Sequence, residues 1–415
     1  MSVRAPSSSL RDVLAAPSVR VSVGLTFVVM LGYGLIVPIL PLFARSFGVG
    51  RTEVGLLLTS FALMRLVFDL VGGPLVDRFG ERTVAVAGVV VVGVTSAASA
   101  AAPTFGVLLV LRALGGAGSS VLFAAMLNHL IRSVPADRMG RTMSLFYSSF
   151  LFGVLLGQPI GGLVAEMLGL ASPLVVYGAV CLVAGGLIFR YLVPVAGPAA
   201  TDRPVPVREE GLAEVEAPLP SAWGRLRGLL SGRAFVTALA ANLAIFWVLG
   251  SVRMTLIPLF ATEEIGVSEL GVGALLGVAA LAQFAVMWPA GSMTDSRGRR
   301  AVLLPGLAAL AASVAVIGWA GSPWTLAAVL AAVGVATGFV GVVPSAVVAD
   351  VAPRETSGTA VGLYRFAGDV GLVVGPAIGG AIADASGFVP AFLASAAPLV
   401  AAWAVAVRMP ETLRR

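Results

Sequence analysis

Residues 65–82 of this chain read RLVFDLVGGPLVDRFGER, and this stretch decides the fold. It begins as an apolar helix that carries two charged side chains, Arg65 and Asp69, and it ends in a polar turn that starts at Asp77. A second turn of the same kind, GSMTDSRGRR, occupies residues 291–300. Because the two turns share the spacing of their glycines, aspartate and final arginine, the pattern indicates an internal duplication.

The composition around this stretch is that of a membrane protein. The 415 residues are 58% hydrophobic and 12% charged, whereas soluble domains carry about 25% charged residues. Apolar runs of about 18 residues or more are long enough to cross a bilayer. They predict twelve spans, at residues 21–44, 53–75, 83–101, 104–130, 142–167, 171–193, 234–260, 270–293, 301–320, 323–349, 358–384 and 388–408. We therefore expect an all-α membrane protein with twelve transmembrane helices.

The basic residues predict the orientation of the chain. All 27 are arginines, and they cluster in the loops on one side of the predicted spans, with only Arg45 and Arg51 on the other side. Because arginine-rich loops stay in the cytoplasm, both termini are predicted to be cytoplasmic, in a multi-pass protein of the cytoplasmic (inner) membrane. The same distribution explains the basic balance without nucleic acid as a partner. The first apolar run lacks a cleavage site, so we expect it to be a retained span.

The chain divides into two halves around a polar segment. Residues 194–233 are rich in proline, arginine and glutamate, which predicts a solvated cytoplasmic linker. The linker separates a six-helix bundle at residues 1–193 from a second one at residues 234–415. Near its end, residues 221–230 fit either a short interfacial helix or an irregular loop.

The two halves repeat each other at a constant offset of 218 residues. Equivalent positions carry glycines, prolines and acids: Gly73 and Gly291, Asp77 and Asp295, Pro135 and Pro353, Gly157 and Gly375, Glu166 and Asp384. Two parallel six-helix repeats are a transporter architecture in which the substrate site lies between the repeats, near the bilayer midplane.

Three motifs carry a more specific resemblance. The turn after span 2, GPLVDRFGER from Gly73, is similar to G-x-x-x-D-R-x-G-R-R, and RALGGAG from Arg112 in span 4 is similar to R-x-x-x-G-x-G. Spans 5 and 11 contain GVLLGQPIGG and GLVVGPAIGG, which are similar to an antiporter motif. With these motifs the chain resembles the major facilitator superfamily over essentially its whole length, and span 1 resembles that of the twelve-helix drug/proton antiporters. Glu81 and Ser296 each replace a signature arginine, and span 1 lacks the acid that many members carry.

The turn at residues 73–82 is the signature loop. Asp77 can accept hydrogen bonds from the start of a neighbouring helix, and the resemblance implies that this neighbour is span 11. Arg78 can hold carboxylates or lipid phosphates. We expect the loop to gate the cytoplasmic side; the alternative is a tight turn that only determines topology.

Span 11 carries the charges of span 2, at Arg365 and Asp369. A charge at the bilayer centre costs at least roughly 2.5–3.5 kcal/mol and needs a partner or a wet cavity. From the helical rise, Asp69 and Arg365 lie roughly 12 Å deep, and Arg65 and Asp369 roughly 18 Å deep. Since the resemblance implies that spans 2 and 11 meet between the halves, we predict a ladder of Asp69 with Arg365 and Arg65 with Asp369, which protonation loosens. The alternative is one pair within each helix.

Two more arginines are predicted inside the membrane. Arg112 on span 4 and Arg253 on span 7 each lie roughly 13 Å below the outer surface. The resemblance implies a role in proton transfer for Arg112, whereas both side chains could instead bind an anionic group of the substrate. For Arg253 a further alternative is snorkelling to the outer interface.

Aromatic and amide side chains complete the predicted substrate site, namely Tyr33, Asn242, Trp247 and Gln283. Such groups in an apolar cavity suit amphipathic substrates, although hydrogen bonds between helices are their commoner use. His129, the only histidine, has a pKa range that suits a proton relay, but its position favours the membrane interface.

The glycines of spans 5 and 11 form small faces at which another helix can approach closely. We expect span 5 to approach span 8 there, and span 11 to approach span 2.

The sequence contains no enzyme signature and no metal cluster, and its single cysteine, Cys181, permits no disulfide within the chain. We therefore expect no enzymatic activity and no cofactor, but a monomeric secondary transporter that works with a small-molecule substrate, protons and membrane lipids. The favoured function is proton-coupled export of drugs or small hydrophobic metabolites by alternating access. Two alternatives stay open: uptake of a small organic anion, and a non-transporting membrane sensor on the same fold.

Overall fold

A computed structural model describes residues 17–134, 139–192, 222–352 and 357–413. Within these ranges all regular secondary structure is helical, and twelve helices are long and apolar enough to cross a membrane. The predicted all-α fold with twelve spans is confirmed. Most of the predicted linker, residues 194–221, lies outside the described residues, and its end forms the helix Ala222–Ser231 rather than an irregular loop.

The spans follow one another in the predicted order. Span 1 comprises Pro17–Ile36 and Leu40–Arg45, and span 7 comprises Arg233–Trp247, Val248–Leu256 and Ile257–Glu263. The other helices, for spans 2 to 6 and 8 to 12, are Arg51–Phe79, Glu81–Ala100, Phe105–Ser133, Met139–Leu168, Ser172–Tyr191, Glu269–Arg297, Arg299–Ala315, Pro323–Val351, Ser357–Ser386 and Phe388–Val407.

Both repeated turns shrink to a single non-helical residue. Gly80 joins spans 2 and 3 with a φ angle of 79°, and Gly298 joins spans 8 and 9 with a φ angle of 107°. Glycine adopts positive φ angles readily because it has no Cβ atom. The glycine of the signature loop is therefore required by the sharp reversal of the chain.

Spans 1 and 7 are the irregular ones. Span 1 breaks after Ile36 and resumes at Leu40, where Pro38 and Pro41 lack the backbone N–H that a continuous helix needs. In span 7 the nine residues Val248–Leu256 form a π-helix, which ends just before Pro258. π-helical segments are rare and occur frequently at functional sites.

The glycine faces of spans 5 and 11 pack mainly against partners other than the predicted ones. An ideal Cβ atom on Gly157 would lie 2.3 Å from the carbonyl oxygen of Leu31 in span 1, and one on Gly371 would lie 2.2 Å from that of Leu243 in span 7. Span 8 is approached only by Gly162, near the end of span 5, and span 2 by Gly380, near the end of span 11. The prediction that the whole faces meet spans 8 and 2 is wrong, because a small face permits a close approach without specifying which helix fills it.

Contacts group the chain into two compact units. The first contains Met1–Ile36, Met64–Gly161 and Ala171–Gly211, and the second contains Val37–Leu63, Gly162–Leu170 and Leu212–Arg415. The second unit thus includes the second half of the repeat together with one end of spans 1, 2 and 5. The sequence-based division into residues 1–193, 194–233 and 234–415 stays a prediction.

The close packing of span 5 on span 1 leads to a stability prediction. Gly157→Ala places a methyl group against the backbone of span 1 and should lower the thermal unfolding midpoint of the purified protein, since overpacking costs about 1–3 kcal/mol. Gly186→Ala in span 6 is the matched control, because nothing lies within 4 Å of its ideal Cβ position. Equal midpoints for the two variants would contradict the assigned packing.

Candidate functional site

The first unit buries a cluster of aromatic and cationic side chains on spans 1, 4 and 6. Arg112 is 3% exposed and interacts electrostatically with the hydroxyl groups of Tyr33 and Tyr177. The two tyrosine rings meet edge to face, with centroids 6.4 Å apart. The structure thus brings together two predicted site residues, Tyr33 and Arg112, and adds Tyr177 to them.

Both charges of span 2 have partners on span 4 within the same unit. Asp69 accepts a hydrogen bond from the hydroxyl group of Ser120. The Arg65 guanidinium lies 5.9 Å from the centre of the Phe123 ring, and Arg65 also interacts electrostatically with Tyr33. Hydroxyl groups and aromatic faces both stabilise charge where water is scarce. The ladder with span 11 stays a prediction.

The second unit brings together two other predicted residues, Arg253 and Gln283. Arg253 lies in the π-helical part of span 7, is 9% exposed, and donates a hydrogen bond from Nη1 to Oε1 of Gln283 at 2.8 Å. The snorkelling alternative for Arg253 is wrong, because its side chain is buried against span 8 instead of reaching an interface. In the same segment, Thr255 Oγ1 donates to the carbonyl oxygen of Gly250 at 2.8 Å.

The remaining substrate candidates lie toward spans 11 and 12. Asn242 Nδ2 donates to the carbonyl oxygen of Tyr364 at 2.7 Å, so it joins spans 7 and 11, as the commoner use of such groups predicts. Trp247 is half-buried and lines an apolar cavity of about 390 Å³ between spans 7, 11 and 12.

The remaining gating candidates are less buried. Asp77 and Arg78 are exposed in the signature loop, where the Arg78 guanidinium lies 5.2 Å from the centre of the Phe79 ring. On span 11, Arg365 is exposed and Asp369 is half-buried. The roles predicted for these four charged residues stay predictions.

Two carboxylates cap helices at the predicted outer ends of the spans, within the second unit. Asp384 at the end of span 11 accepts hydrogen bonds from the backbone N–H groups of Arg51 and Thr52, at 2.9 and 2.7 Å, where span 2 begins. Glu166 at the end of span 5 accepts one from the backbone N–H of Leu270 at 3.1 Å, where span 8 begins. A carboxylate at a helix start satisfies free N–H groups and interacts favourably with the helix dipole.

The two caps are copies of each other in the repeat. The offset of 218 residues relates Glu166 to Asp384 and Leu270 to Thr52. Beside them, the outer arginines Arg45 and Arg51 share one carboxylate, because their guanidinium nitrogens lie 2.9 and 2.6 Å from the two oxygens of Glu263. These contacts join both repeats at one end of the spans.

A third carboxylate caps span 9 at the opposite end. Glu411 accepts hydrogen bonds from the backbone N–H groups of Arg299 and Arg300, at 2.8 and 3.1 Å. Burial acts to raise the pKa of Glu411, but hydrogen bonds from the backbone N–H groups of Leu413, Arg299, Arg300 and Thr412 together hold it below its ordinary value.

The sequence did not single out these three capping acids as functional residues. For Glu166 and Asp384 a signal was present, since two acids at one offset follow the same glycine motif. For Glu411 the only local signal is its position soon after the last apolar run.

Twelve spans, two repeats and charged clusters inside the helices define a multi-pass membrane transporter. The family model of the Major Facilitator Superfamily matches residues 23–260 and 239–414. The chain therefore belongs to the major facilitator superfamily, a family of transporters.

Individual relatives are more distant. The quinolone resistance protein NorA of Staphylococcus aureus is 27% identical over 141 residues, which cover 34% of this chain and 36% of NorA. An uncharacterized MFS-type transporter of Methanocaldococcus jannaschii is 32% identical over 148 residues, or 36% of this chain and 38% of that one. The matches thus span little more than a third of these relatives.

Solved structures share the fold. A bacterial homolog of the human lysosomal transporter Spinster, in an inward-facing and unoccupied conformation, superposes with a TM-score of 0.76 at 14% identity and covers 94% of this chain and 95% of its own. The human organic anion transporter MFSD10 gives a TM-score of 0.64 at 17% identity, over 94% and 99% of the two chains.

The outer caps predict a change in conformational equilibrium. Replacing Glu166 and Asp384 together by alanine removes both caps, each worth about 1 kcal/mol, and should favour separation of the outer helix ends roughly 30-fold. Spin-label distances between the start of span 2 and the end of span 11 would measure this shift. Glu264→Ala, which removes an exposed outer acid, is the control. An unchanged distance distribution in the double variant would rule out a latch.

The lowered pKa of Glu411 predicts a pH-dependent stability. A carboxyl group whose pKa is lowered by folding stabilises the protein above its ordinary pKa of about 4.3, and this stabilisation is lost as the pH falls through the lowered value. Glu411→Gln should therefore lower the unfolding midpoint at neutral pH and have little effect at about pH 3. The expected trend fails if the difference between variant and wild type is the same at both pH values.

Proposed function

We propose that this transporter is a proton-coupled exporter of drugs or small hydrophobic metabolites in the cytoplasmic membrane of a bacterium, with both termini in the cytoplasm. The observation that carries the proposal is the carboxylate of Asp69 inside span 2, with the Ser120 hydroxyl as its partner. A carboxylic acid surrounded by hydrocarbon can be neutral or charged depending on its partners, which is what a proton carrier requires.

The substrate class rests on the aromatic and apolar character of the clusters. Tyr33, Tyr177 and Trp247 offer flat apolar surfaces, and buried polar groups stand beside them to orient a ligand. The partial likeness to a quinolone resistance protein supports the same class. We therefore favour amphipathic, largely apolar substrates of drug size.

Export requires the two ends of the transporter to open in turn. In the proposed cycle, the caps formed by Glu166 and Asp384 hold the outer ends together, and they separate when the outer side opens. The ladder of Asp69 with Arg365 and Arg65 with Asp369 then holds the cytoplasmic side. Proton binding to either acid loosens the ladder, and Ser120 would have to share or release Asp69 as the ladder forms.

A second candidate is uptake of a small organic anion. The observation that favours it is the burial of Arg112 and Arg253, both of which reach the interior of the spans without a carboxylate among their described hydrogen-bond partners. Buried guanidinium groups are suited to carboxylates and phosphates.

Flux measurements distinguish these candidates. The purified protein, reconstituted in proteoliposomes with an imposed pH gradient, should move at least one amphipathic cation or neutral drug of a panel against the proton flow. Accumulation of organic anions alone would favour the uptake carrier. Ligand binding without flux for every compound would favour the non-transporting sensor.

The buried acids provide the sharper test of coupling. Asp69→Asn and Asp369→Asn each remove a titratable group from the ladder and should reduce gradient-driven flux by about tenfold or more, while facilitated exchange without a gradient is largely retained. Glu264→Gln is the control for loss of an acid elsewhere. Full coupling in both variants would contradict the proposed proton sites.

A further inference from the structure

The start of span 3 and the end of span 4 bury two titratable side chains next to each other. Glu81 is 2% exposed and His129 is 1% exposed, so the expectation that His129 lies at the membrane interface is wrong. His129 Nδ1 lies 3.8 Å from Glu81 Oε2, and its Nε2 lies 3.4 Å from the hydroxyl oxygen of Ser133. On the other side, Arg132 Nη1 lies 2.9 Å from Glu81 Oε1.

The internal repeat shows which part of this cluster is structural. At the offset of 218 residues, Glu81 corresponds to Arg299 and Arg132 corresponds to Asp350. In the second half, Arg299 Nε donates to Asp350 Oδ2 at 2.9 Å. The same ion pair thus occurs in both halves with its charges exchanged, which explains why Glu81 departs from the family signature.

The histidine has no equivalent in that comparison. The position that corresponds to His129 is Val347, which is buried. An apolar side chain therefore suffices for the packing of this site in the second half. The imidazole group in the first half adds a group whose ordinary pKa of about 6.5 lies within the physiological range.

The surroundings of His129 give its protonation a defined effect. Among the described residues its charged neighbours are Glu81 on span 3 and Arg132 on its own span. Nearby Arg82 is turned toward span 6, where it donates to the carbonyl oxygen of Phe189.

The charged residues of the other neighbouring spans stay outside the cluster. At this end, span 1 carries Arg20, and span 2 carries Asp77 and Arg78; all three side chains are exposed. With a neutral imidazole, the Glu81–Arg132 pair is balanced. With a protonated one, a single buried carboxylate must serve two cations, which weakens its hold on Arg132.

This ion pair connects directly to the signature loop. Glu81 is the first residue of span 3 and follows Gly80, the single residue that joins spans 2 and 3. Any loosening of Glu81 from Arg132 therefore acts on the end of the loop. We propose that Glu81 and His129 form a proton-binding site at the predicted cytoplasmic end of the first half, through which cytoplasmic pH acts on the signature loop. The proposal does not depend on proton-coupled export, because such a site can regulate any carrier.

The single histidine makes the site directly observable. Full-length protein with isotope-labelled histidine and a histidine-free affinity tag gives one set of imidazole NMR signals, which can be followed from pH 5 to pH 8.5. We expect one titration in this range, and Glu81→Gln should lower its midpoint by about one pH unit, the effect of losing a nearby opposite charge. Glu264→Gln should leave it unchanged. An imidazole that does not titrate, or a midpoint unaffected by Glu81→Gln, overturns the proton-binding site.

A second measurement tests the link to the loop. In a Cys181→Ala background, which removes the only cysteine, Phe79→Cys provides an exposed attachment point for an environment-sensitive fluorophore. Its signal should change with pH at the midpoint of the His129 titration. His129→Val, which copies the residue of the second half, should abolish the change while the unfolding midpoint stays near that of the wild type. If His129→Val does not fold, His129→Gln replaces it. A pH response that persists in the folded variant overturns the link.

Discussion

Charged and hydrogen-bonding groups inside hydrocarbon must have partners, and this constraint shapes each polar feature of the protein. Arg253 is paired with Gln283, Asp69 with Ser120, and Arg112 with a pair of tyrosines. At the helix ends, carboxylates accept hydrogen bonds from backbone N–H groups that the helices leave free. A transporter can exploit such contacts because each can be exchanged for another at modest cost only while both states supply a partner.

The repeat shows how the same backbone position can carry different chemistry. Glu166 and Asp384 keep the same role in both halves, and they cap equivalent helices. The ion pair at the other end keeps its geometry but exchanges its charges between Glu81 and Arg299. Where the two halves differ most, the difference marks a specific function: the buried imidazole group of His129 and the π-helical segment of span 7 each occur on one side of the described repeat.

Much of the fold follows from simple features of the sequence. The length of the apolar runs predicted all twelve spans, and the constant offset predicted the duplication, because burial in a bilayer leaves few alternatives to long helices. The partners of the glycine faces were not predictable in this way. Span 5 could have met several helices, and the choice of span 1 depends on shape complementarity across distant segments.

The polar clusters were only partly predictable for a related reason. Arg112 and Arg253 stood out as charges in apolar runs, but their partners Tyr177 and Gln283 lie on other spans and share no local pattern with them. The pairing of Glu81 with Arg132 was readable in principle, since both positions exchange charge with Arg299 and Asp350 across the offset. The burial of His129 was not, because depth along a helix does not reveal which face the neighbouring span covers.

The account rests on the claim that substrate movement and proton movement are obligatorily linked. The direct measurement is the lumenal pH of proteoliposomes, followed with a trapped dye, after a substrate gradient is imposed with no initial pH difference and with the membrane potential clamped. The account predicts that substrate flow drives protons the opposite way, at a fixed ratio, and that Asp69→Asn abolishes the pH change. Substrate flow with a constant lumenal pH in the wild-type protein would contradict it.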